Sequence, residues 1–444
     1  MSDLQTLKLL RTLLPLFFAI SAGSASWALE KASSTQPNIV FILADDVGRE
    51  VLGCYGGTSY QTPHLDKLAS DGIRFEHCYS MPVCHPSRTT LLSGRYPRNN
   101  GNPAWGSYPE NMESKTFAQI LKRAGYKTAI AGKWQLCMMD NKRDHAARLG
   151  FEQSSLFGWH EGARYHDPFI YQNGELLEGT EGKYGPDLYV DFLIDFIEKN
   201  QQGPFFAYYS MALCHDVTDD LKEPVPYGPR GRYDNFAEMA DQMDEEIGRL
   251  ITALDLMNLR ENTLILFTTD NGTPKKSKLT YDENGKFTYE NVVSEFHGKM
   301  IPGGKGDLTD WGTRVPLIAN WTGHIEGGEV CDDLIDFSDF LPTFAEIASA
   351  DLPEDLTLDG QSFAKRITSG TANPRQWVSA ESRGNKYFYK DRTWKLYNDG
   401  RFFNCEKDPF EKKPLNVTEL EADAEASYSD LSKLISNSDE IKEE

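Results

Sequence analysis

The sequence predicts an α/β protein: a sheet of mostly parallel strands flanked by helices, followed by a smaller C-terminal α+β part with an antiparallel sheet. Three observations lead there. Residues 38–44 form a continuous apolar run, and 205–211 and 263–269 are mostly apolar, as expected of strands buried on both faces of a parallel sheet. Residues 116–124 and 236–259 instead repeat apolar side chains at helical spacing: Phe117, Ile120, Leu121 and Ala124 in the first, and Phe236, Met239, Ala240, Met243, Ile247, Leu250, Ile251 and Leu254 in the second. Past Ala350 the pattern becomes short alternating runs, 377–380, 386–389, 393–397 and 401–403, broken by Gly and Asn turns, which read as an antiparallel meander. The expected divisions are a leader over 1–25, a large α/β domain over 37–349 and a subdomain over 350–444 that ends in a charged helix.

A chain of 444 residues can bury a large core, and its formal net charge of −21 argues against a nucleic-acid binder. It also repels polyanions at long range, so an anionic ligand needs a local positive pocket. Lys8 and Arg11, the short apolar stretch 13–20 and the small residues 21–25 resemble a secretory signal, with cleavage after Ala25 or Ala28. No later stretch is apolar for long enough to span a bilayer, so the mature chain is expected to be periplasmic or secreted. The seven cysteines, at 54, 78, 84, 137, 214, 331 and 405, fit no paired zinc pattern and read as mostly buried thiols.

In chain order, the first apolar run ends in Asp45-Asp46 and the last in Asp270-Asn271-Gly272. Ligands of α/β sheets collect at the carboxyl ends of strands, and four oxygen donors delivered there suit a hard cation. Thr62-Pro63 opens a helix carrying Leu65, Leu68 and Ala69, with Gly72 beyond its end. Next comes Cys84-His85-Pro86-Ser87-Arg88, running into Leu91-Leu92-Ser93-Gly94-Arg95. Pro86 suits a first helical turn and Gly94 a C-terminal cap, so Cys84 is expected just before a helix N-terminus, where anions are favoured. The stretch 99–112, with Trp105 and Tyr108, reads as a surface loop lining the site mouth. A strand over 127–131 leads into Gly132-Lys133-Trp134-Gln135. The aromatics of 157–174, among them Trp159, His160, Tyr165, His166 and Tyr171, suit a carbohydrate-stacking wall and a hydrophobic cluster equally. The strand over 205–211 leads to Cys214-His215-Asp216. The stretch 274–302 is polar and reads as an excursion without regular pattern, followed by Gly304-Lys305-Gly306, a strand over 315–320 and a helix over 338–348.

Cys-x-Pro-Ser-Arg closing in Leu-x-Ser-Gly-Arg resembles the signature of the type I, formylglycine-dependent sulfatases. The order of Asp45-Asp46, Gly132-Lys133-Trp134, His215, Asp270-Asn271, Gly304-Lys305-Gly306, Gly312-Thr313-Arg314-Val315-Pro316, Leu341-Pro342-Thr343 and Asp408-Pro409-Phe410-Glu411 is similar to that family's. The resemblance implies the fold shared with alkaline phosphatases, a large mixed sheet between helices with a smaller subdomain against it. It implies that Cys84 is oxidised to formylglycine by a formylglycine-generating enzyme. It implies a calcium ion held by Asp45, Asp46, Asp270 and Asn271 with an oxygen from residue 84. It implies that Lys133, Lys305 and Arg88 stabilise sulfate charge, with Lys299 a weaker candidate than Lys305, and that His215 protonates the leaving alcohol. Gln135 stands where the family has a histidine; it can donate a hydrogen bond but carries no proton, and is kept as a binding residue. The implied activity is hydrolysis of a sulfate ester, and export with aromatic loops points to a sulfated carbohydrate. The alternatives are a phosphonate or phosphate ester hydrolase on the same fold and a non-catalytic glycan-binding homologue.

Overall fold

Strand β1, Asn38–Ala44, sets the layering of the fold, because every residue in it is buried. Its side chains alternate between two cores. Val40, Ile42 and Ala44 face one; Ile39, Phe41 and Leu43 face the other. A strand with apolar residues at every position can only be covered on both sides, which makes this a three-layer protein. The structure is a computed structural model that describes residues 36–158, 161–216, 235–281, 283–284, 287–373 and 375–440. The expected signal segment, Trp159 and His160 lie outside the described residues.

The strands that follow are β2 (Ile73–Tyr79), β3 (Lys127–Lys133), β4 (Gln153–Phe157), β5 (Ile170–Gln172), β6 (Glu175–Leu176), β7 (Phe205–Ser210) and β8 (Thr263–Thr269). Two small hairpins come next, β9 (Lys276–Tyr281) with β10 (Phe287–Asn291), and β11 (Val293–Phe296) with β12 (Lys299–Pro302). Strands β13 (Arg314–Asn320) and β14 (Glu329–Asp336) complete a ten-stranded sheet in the order β14-β2-β13-β8-β1-β7-β3-β4-β5-β6. From β8 through β4 the pairing is parallel, and β13 runs against both its neighbours. The carboxyl ends of β1, β3, β7 and β8 and the beginning of β13 therefore share one edge.

Helices α1 (Pro63–Ser70), α2 (Cys84–Ser93), α3 (Phe117–Arg123), α4 (His145–Arg148), α5 (Gly185–Asn200), α6 (Phe236–Leu256), α7 (Asp310–Thr313), α8 (Phe340–Ile347) and α9 (Ala364–Ser369) sit around this sheet. The stripe of α6 joins Val40 and Ile42 in one core; Phe117 of α3 and Phe344 of α8 join Phe41 in the other. The Phe41 ring lies 5.4 Å from that of Phe344 and 5.0 Å from that of Tyr208. Truncating such a ring costs about 3–5 kcal/mol.

The C-terminal meander is present as β15 (Val378–Ser382), β16 (Lys386–Lys390), β17 (Trp394–Tyr397) and β18 (Phe402–Asn404), all antiparallel. One face buries Val378, Ala380 and Phe388 against Tyr79, Met81 and Tyr96; the other buries Tyr387, Tyr389 and Phe402 under α10 (Ala422–Glu440). Arg375, wholly buried, anchors this part by donating to Asp336 Oδ2 at 3.1 Å and Asp339 Oδ1 at 2.6 Å.

Three expectations change. The excursion 274–302 contains the two hairpins β9–β10 and β11–β12; ribbons half in solvent carry too little apolar pattern to announce themselves. Strand β3 runs on to Lys133, so this lysine is part of the strand. Cys84 is the first residue of α2, with Val83 as its N-cap.

Candidate active site

The pairing of β1 with β8 brings Ala44 opposite Thr269, so Asp45-Asp46 and Asp270-Asn271 leave the sheet side by side. Backbone bonds fix them there: Asp270 N–H donates to Ala44 O at 3.1 Å, Asp45 N–H to Leu213 O at 2.8 Å, and Cys214 N–H to Asp45 O at 2.6 Å. Asp46 has φ 64° and Gln135 φ 56°. Left-handed backbone at a non-glycine residue costs about 1–3 kcal/mol and gathers at functional sites. At Gly132, φ 105°, a Cβ would sit 2.0 Å from Ser210 O, so only glycine lets β3 lie this close to β7 just before Lys133.

Helix α2 aims at this edge. Its first turn needs no N–H from Pro86, and Gly94, with φ 66°, closes it. Cys84, 1% exposed, is placed against the carboxylates: Cys84 Sγ and one oxygen each of Asp45 and Asp270 lie within 4.8 Å of one another. Arg88, one turn on, donates from Nε and Nη2 to Asp270 Oδ2 at 3.0 and 2.7 Å and from Nη1 to Ser210 Oγ at 2.5 Å. Burial opposes the Arg88 charge, yet Asp270 and Asp45 hold its pKa above the ordinary value.

The other sequence-predicted residues fall into the same cluster. Lys133 donates to Asp45 Oδ2, with both side chains fully buried. Lys305 donates to Asp46 Oδ2 at 2.5 Å; burial lowers its pKa, but Asp46, then Cys84, reverse this and leave it raised. Gln135 Nε2 donates to Cys84 Sγ at 3.2 Å. His215 Nε2 lies 3.9 Å from Asp46 Oδ2. Burial, followed by Lys305, Lys133 and Arg164, pushes the His215 pKa well below its usual range. Lys299, by contrast, lies out on β12 and is exposed.

Sequence reasoning missed Arg164 and Ser210. Arg164 is 1% exposed and its Nη1 lies 3.2 Å from His215 Nδ1, which is also 3.0 Å from Asp216 O. Guanidinium only donates and a carbonyl only accepts, so these two neighbours favour opposite tautomers of the ring. No sequence signal separates such a buried arginine from a surface one. Nearby, Tyr165 is core, its hydroxyl donating to Ala212 O and His215 O at 2.8 and 2.5 Å.

The donor set suits a hard divalent cation. Among the described residues, Asp45 Oδ1 and Asn271 Oδ1 are buried without a hydrogen-bond partner. Asn271 spends its Nδ2 on Asp46 Oδ1 at 2.8 Å and Gly272 O at 3.0 Å, which turns its Oδ1 free. Orphaned buried oxygens are costly unless something absent from the chain satisfies them. Burial, then Asp270, raises the Asp45 pKa against the pull of Lys133. Burial likewise raises the Cys84 thiol, with Lys133 and Lys305 opposing; a protonated thiol is a weak nucleophile.

Comparison with known proteins places the chain in a family. The family model described as Sulfatase matches residues 37–350. The chain belongs to the sulfatase family. It is 31% identical over 391 residues to arylsulfatase A of Homo sapiens, covering 81% of this chain and 72% of that one. It is 28% identical over 382 residues to N-acetylgalactosamine-6-sulfatase of Rattus norvegicus, covering 78% and 68%. Among solved structures, Ps i-CgsB in complex with k-i-k-neocarrahexaose superposes with a TM-score of 0.72 at 24% identity, covering 90% of this chain and 92% of that one, a likeness of fold. As a sulfatase, this chain is a sulfuric ester hydrolase, acting on a sulfate ester.

Proposed function

We propose that this sulfatase acts outside the cytoplasm on a sulfated carbohydrate, with position 84 matured to formylglycine and a calcium ion beside it. The observation that carries the chemistry is the pair of orphaned buried oxygens, Asp45 Oδ1 and Asn271 Oδ1, next to Cys84 and Asp270. Asp45, Asp46, Asp270, Asn271 and the residue at 84 would hold the ion. Calcium supplies charge that lowers the pKa of a bound hydroxyl and polarises a sulfate. Formylglycine, produced by a formylglycine-generating enzyme, supplies as its hydrate an oxygen nucleophile and a second hydroxyl that a thiol lacks.

The chain's own residues divide the remaining work. Lys133 and Lys305 offer ammonium donors to the sulfate oxygens, aimed where charge builds up. Arg88, its donors engaged by Asp270 and Ser210, is a positioning residue that holds Asp270 in place. Gln135 donates toward the reacting atom at 84. His215 turns Nε2 into the site and would pass a proton to the departing alcohol, its charged form favoured once a bound sulfate offsets Lys305 and Lys133, which hold its pKa down. Residues 37–349 form the catalytic part, and 350–444 add one wall of the entrance.

Carbohydrate is favoured by two observations. The rat relative is named for a sulfated sugar, and Ps i-CgsB was solved with a carrageenan oligosaccharide. Beside the site lies a cavity of about 910 Å³, large enough for more than one sugar. Among the described residues, no helix is long and apolar enough to cross a membrane. The test is the mass of the proteolytic peptide containing residue 84, made alongside a formylglycine-generating enzyme, together with sulfate release from a panel of sulfated glycans. An aldehyde or its hydrate with sulfate release is the expected result. An unmodified thiol, with a control sulfatase matured in the same cells, would overturn the reading.

A further inference from the structure

The cavity at the site entrance joins two parts of the chain far apart in sequence. Val83 and His85, on either side of Cys84, and Gly306, next to Lys305, line it. The loop 102–105 forms one wall, and the turn between β15 and β16 forms the other, presenting Arg383. Trp105, on the first wall, is 37% exposed and lies 5.5 Å from the His85 ring, with the Arg383 guanidinium 5.8 Å from its centroid.

Charge at this entrance is uneven. The acidic side chain lining it, Glu381, is held by Arg98 at 2.5 Å and by the Arg98 N–H at 2.6 Å. Arg383 forms no ion pair with a carboxylate among the described residues, and its turn carries it into solvent. In a chain of net charge −21, an arginine without a carboxylate partner among the described residues, in the cavity beside the site, is a local exception to the field. A fork of N–H donors beside an aromatic face matches a sugar ring that bears a carboxylate or sulfate: the ring covers the indole and the anion meets the guanidinium.

We propose that Trp105 and Arg383 form a subsite for the sugar next to the one being desulfated, and that this sugar carries an anionic group of its own, a second sulfate or a carboxylate. The proposal rests on the sulfated-carbohydrate reading and narrows it to polyanionic glycans. The reacting sulfate lies at 84 and the second charge at 383, so two parts of one oligosaccharide are read by two separate segments of the chain.

The test uses the full chain with Cys84→Ala, so that ligands bind without turnover. Calorimetric titration compares it with the same protein carrying Arg383→Gln or Trp105→Ala. The probes are two matched pairs of tetrasaccharides: κ- and ι-carrageenan, which differ in sulfate count, and chondroitin 6-sulfate with its carboxyl-reduced form. Arg383→Gln is expected to weaken the more highly charged member of one pair about fivefold, with less than about twofold effect on its partner. The pair that responds tells sulfate from carboxylate. Trp105→Ala is expected to weaken both members of that pair alike. Binding that ignores both substitutions, or an equal loss with Arg383→Gln for every probe, would overturn the subsite and leave the carbohydrate reading standing. Failure of every probe to bind even the Cys84→Ala parent would remove that reading, and the subsite with it. Folding of the variants is checked by unchanged thermal midpoints, and Arg383→Lys, which keeps the charge, should recover part of the lost affinity.

Discussion

Replacing Lys305 with methionine keeps most of the length of the side chain and deletes its charge. In the structure that charge meets Asp46 Oδ2 at 2.5 Å and is only 23% exposed. An ammonium about 4 Å from a sulfate oxygen, at an effective dielectric near 20, contributes roughly 4 kcal/mol of direct attraction. Removing one preorganised donor of this kind costs about 2.7–4 kcal/mol in transition-state binding, or a factor of about 10²–10³. Sulfate is charged before it reacts as well as during reaction, so part of the loss should appear in KM and the rest in kcat. Lys305 is also the largest influence after burial holding His215 below its usual pKa. Its removal should therefore move the His215 titration upward. The assay is kcat and KM for sulfate release across pH, on matured protein, with Lys305→Arg as the variant that keeps the charge. A fall in kcat/KM of less than about tenfold, with an unchanged thermal midpoint, would refute the reasoning and leave Lys305 as no more than a counter-ion for Asp46.

Other perturbations have equally definite outcomes. Protein stripped with EGTA should gain about 2.7 kcal/mol of unfolding free energy when calcium reaches a hundredfold excess over its Kd, and Asp45→Asn with Asn271→Ala should erase that gain. Burial, with help from Arg148 and Lys142, pushes His145 down to about 3. A histidine with a depressed folded-state pKa contributes its full stability above about pH 6.5 and loses it as pH falls through that value toward 3. Between pH 6.5 and 5.5, His145→Gln should thus lose about 1 kcal/mol less than the parent by urea denaturation. Arg375→Met strands Asp336 and Asp339 in the interior and should cost about 3–5 kcal/mol; a loss under about 1 kcal/mol would mean that the anchor of the C-terminal sheet contributes little.

The legible parts of the sequence were those where one physical demand acts alone. Strands β1, β7 and β8 are buried at every position and mostly apolar because both faces are covered, and the donors Asp45, Asp46, Asp270 and Asn271 are conspicuous because nothing in such a run prepares for them. The meander was readable from its alternation, since one face meets Tyr79 and Tyr96 and the other meets α10 in an ordered two-sided pattern. The hairpins of 276–302 were not, because Lys299 and Met300 lie exposed on a ribbon whose buried apolar side chains are few, Phe296 and Ile301 among them. The aromatics of 157–174 satisfied two readings because a tyrosine can serve either; Tyr165 and Tyr171 prove to be packing residues. Arg164 and Arg383 were invisible for opposite reasons. The first is buried where a charge is not anticipated, and the second is an ordinary surface arginine until the fold sets Trp105 beneath it.

The register of β1 against β8 also has a meaning in time. Asp46 and Asp270 are joined by a bond between residues 224 positions apart, so the cluster around Cys84 cannot exist until the chain has closed a loop of that length. Closing loops of that kind is entropically late in folding. Before that closure the thiol at 84 belongs to an open, accessible segment; after it the same side chain is 1% exposed, behind lysines and carboxylates. Whatever acts on this cysteine covalently has a window that the sheet itself shuts.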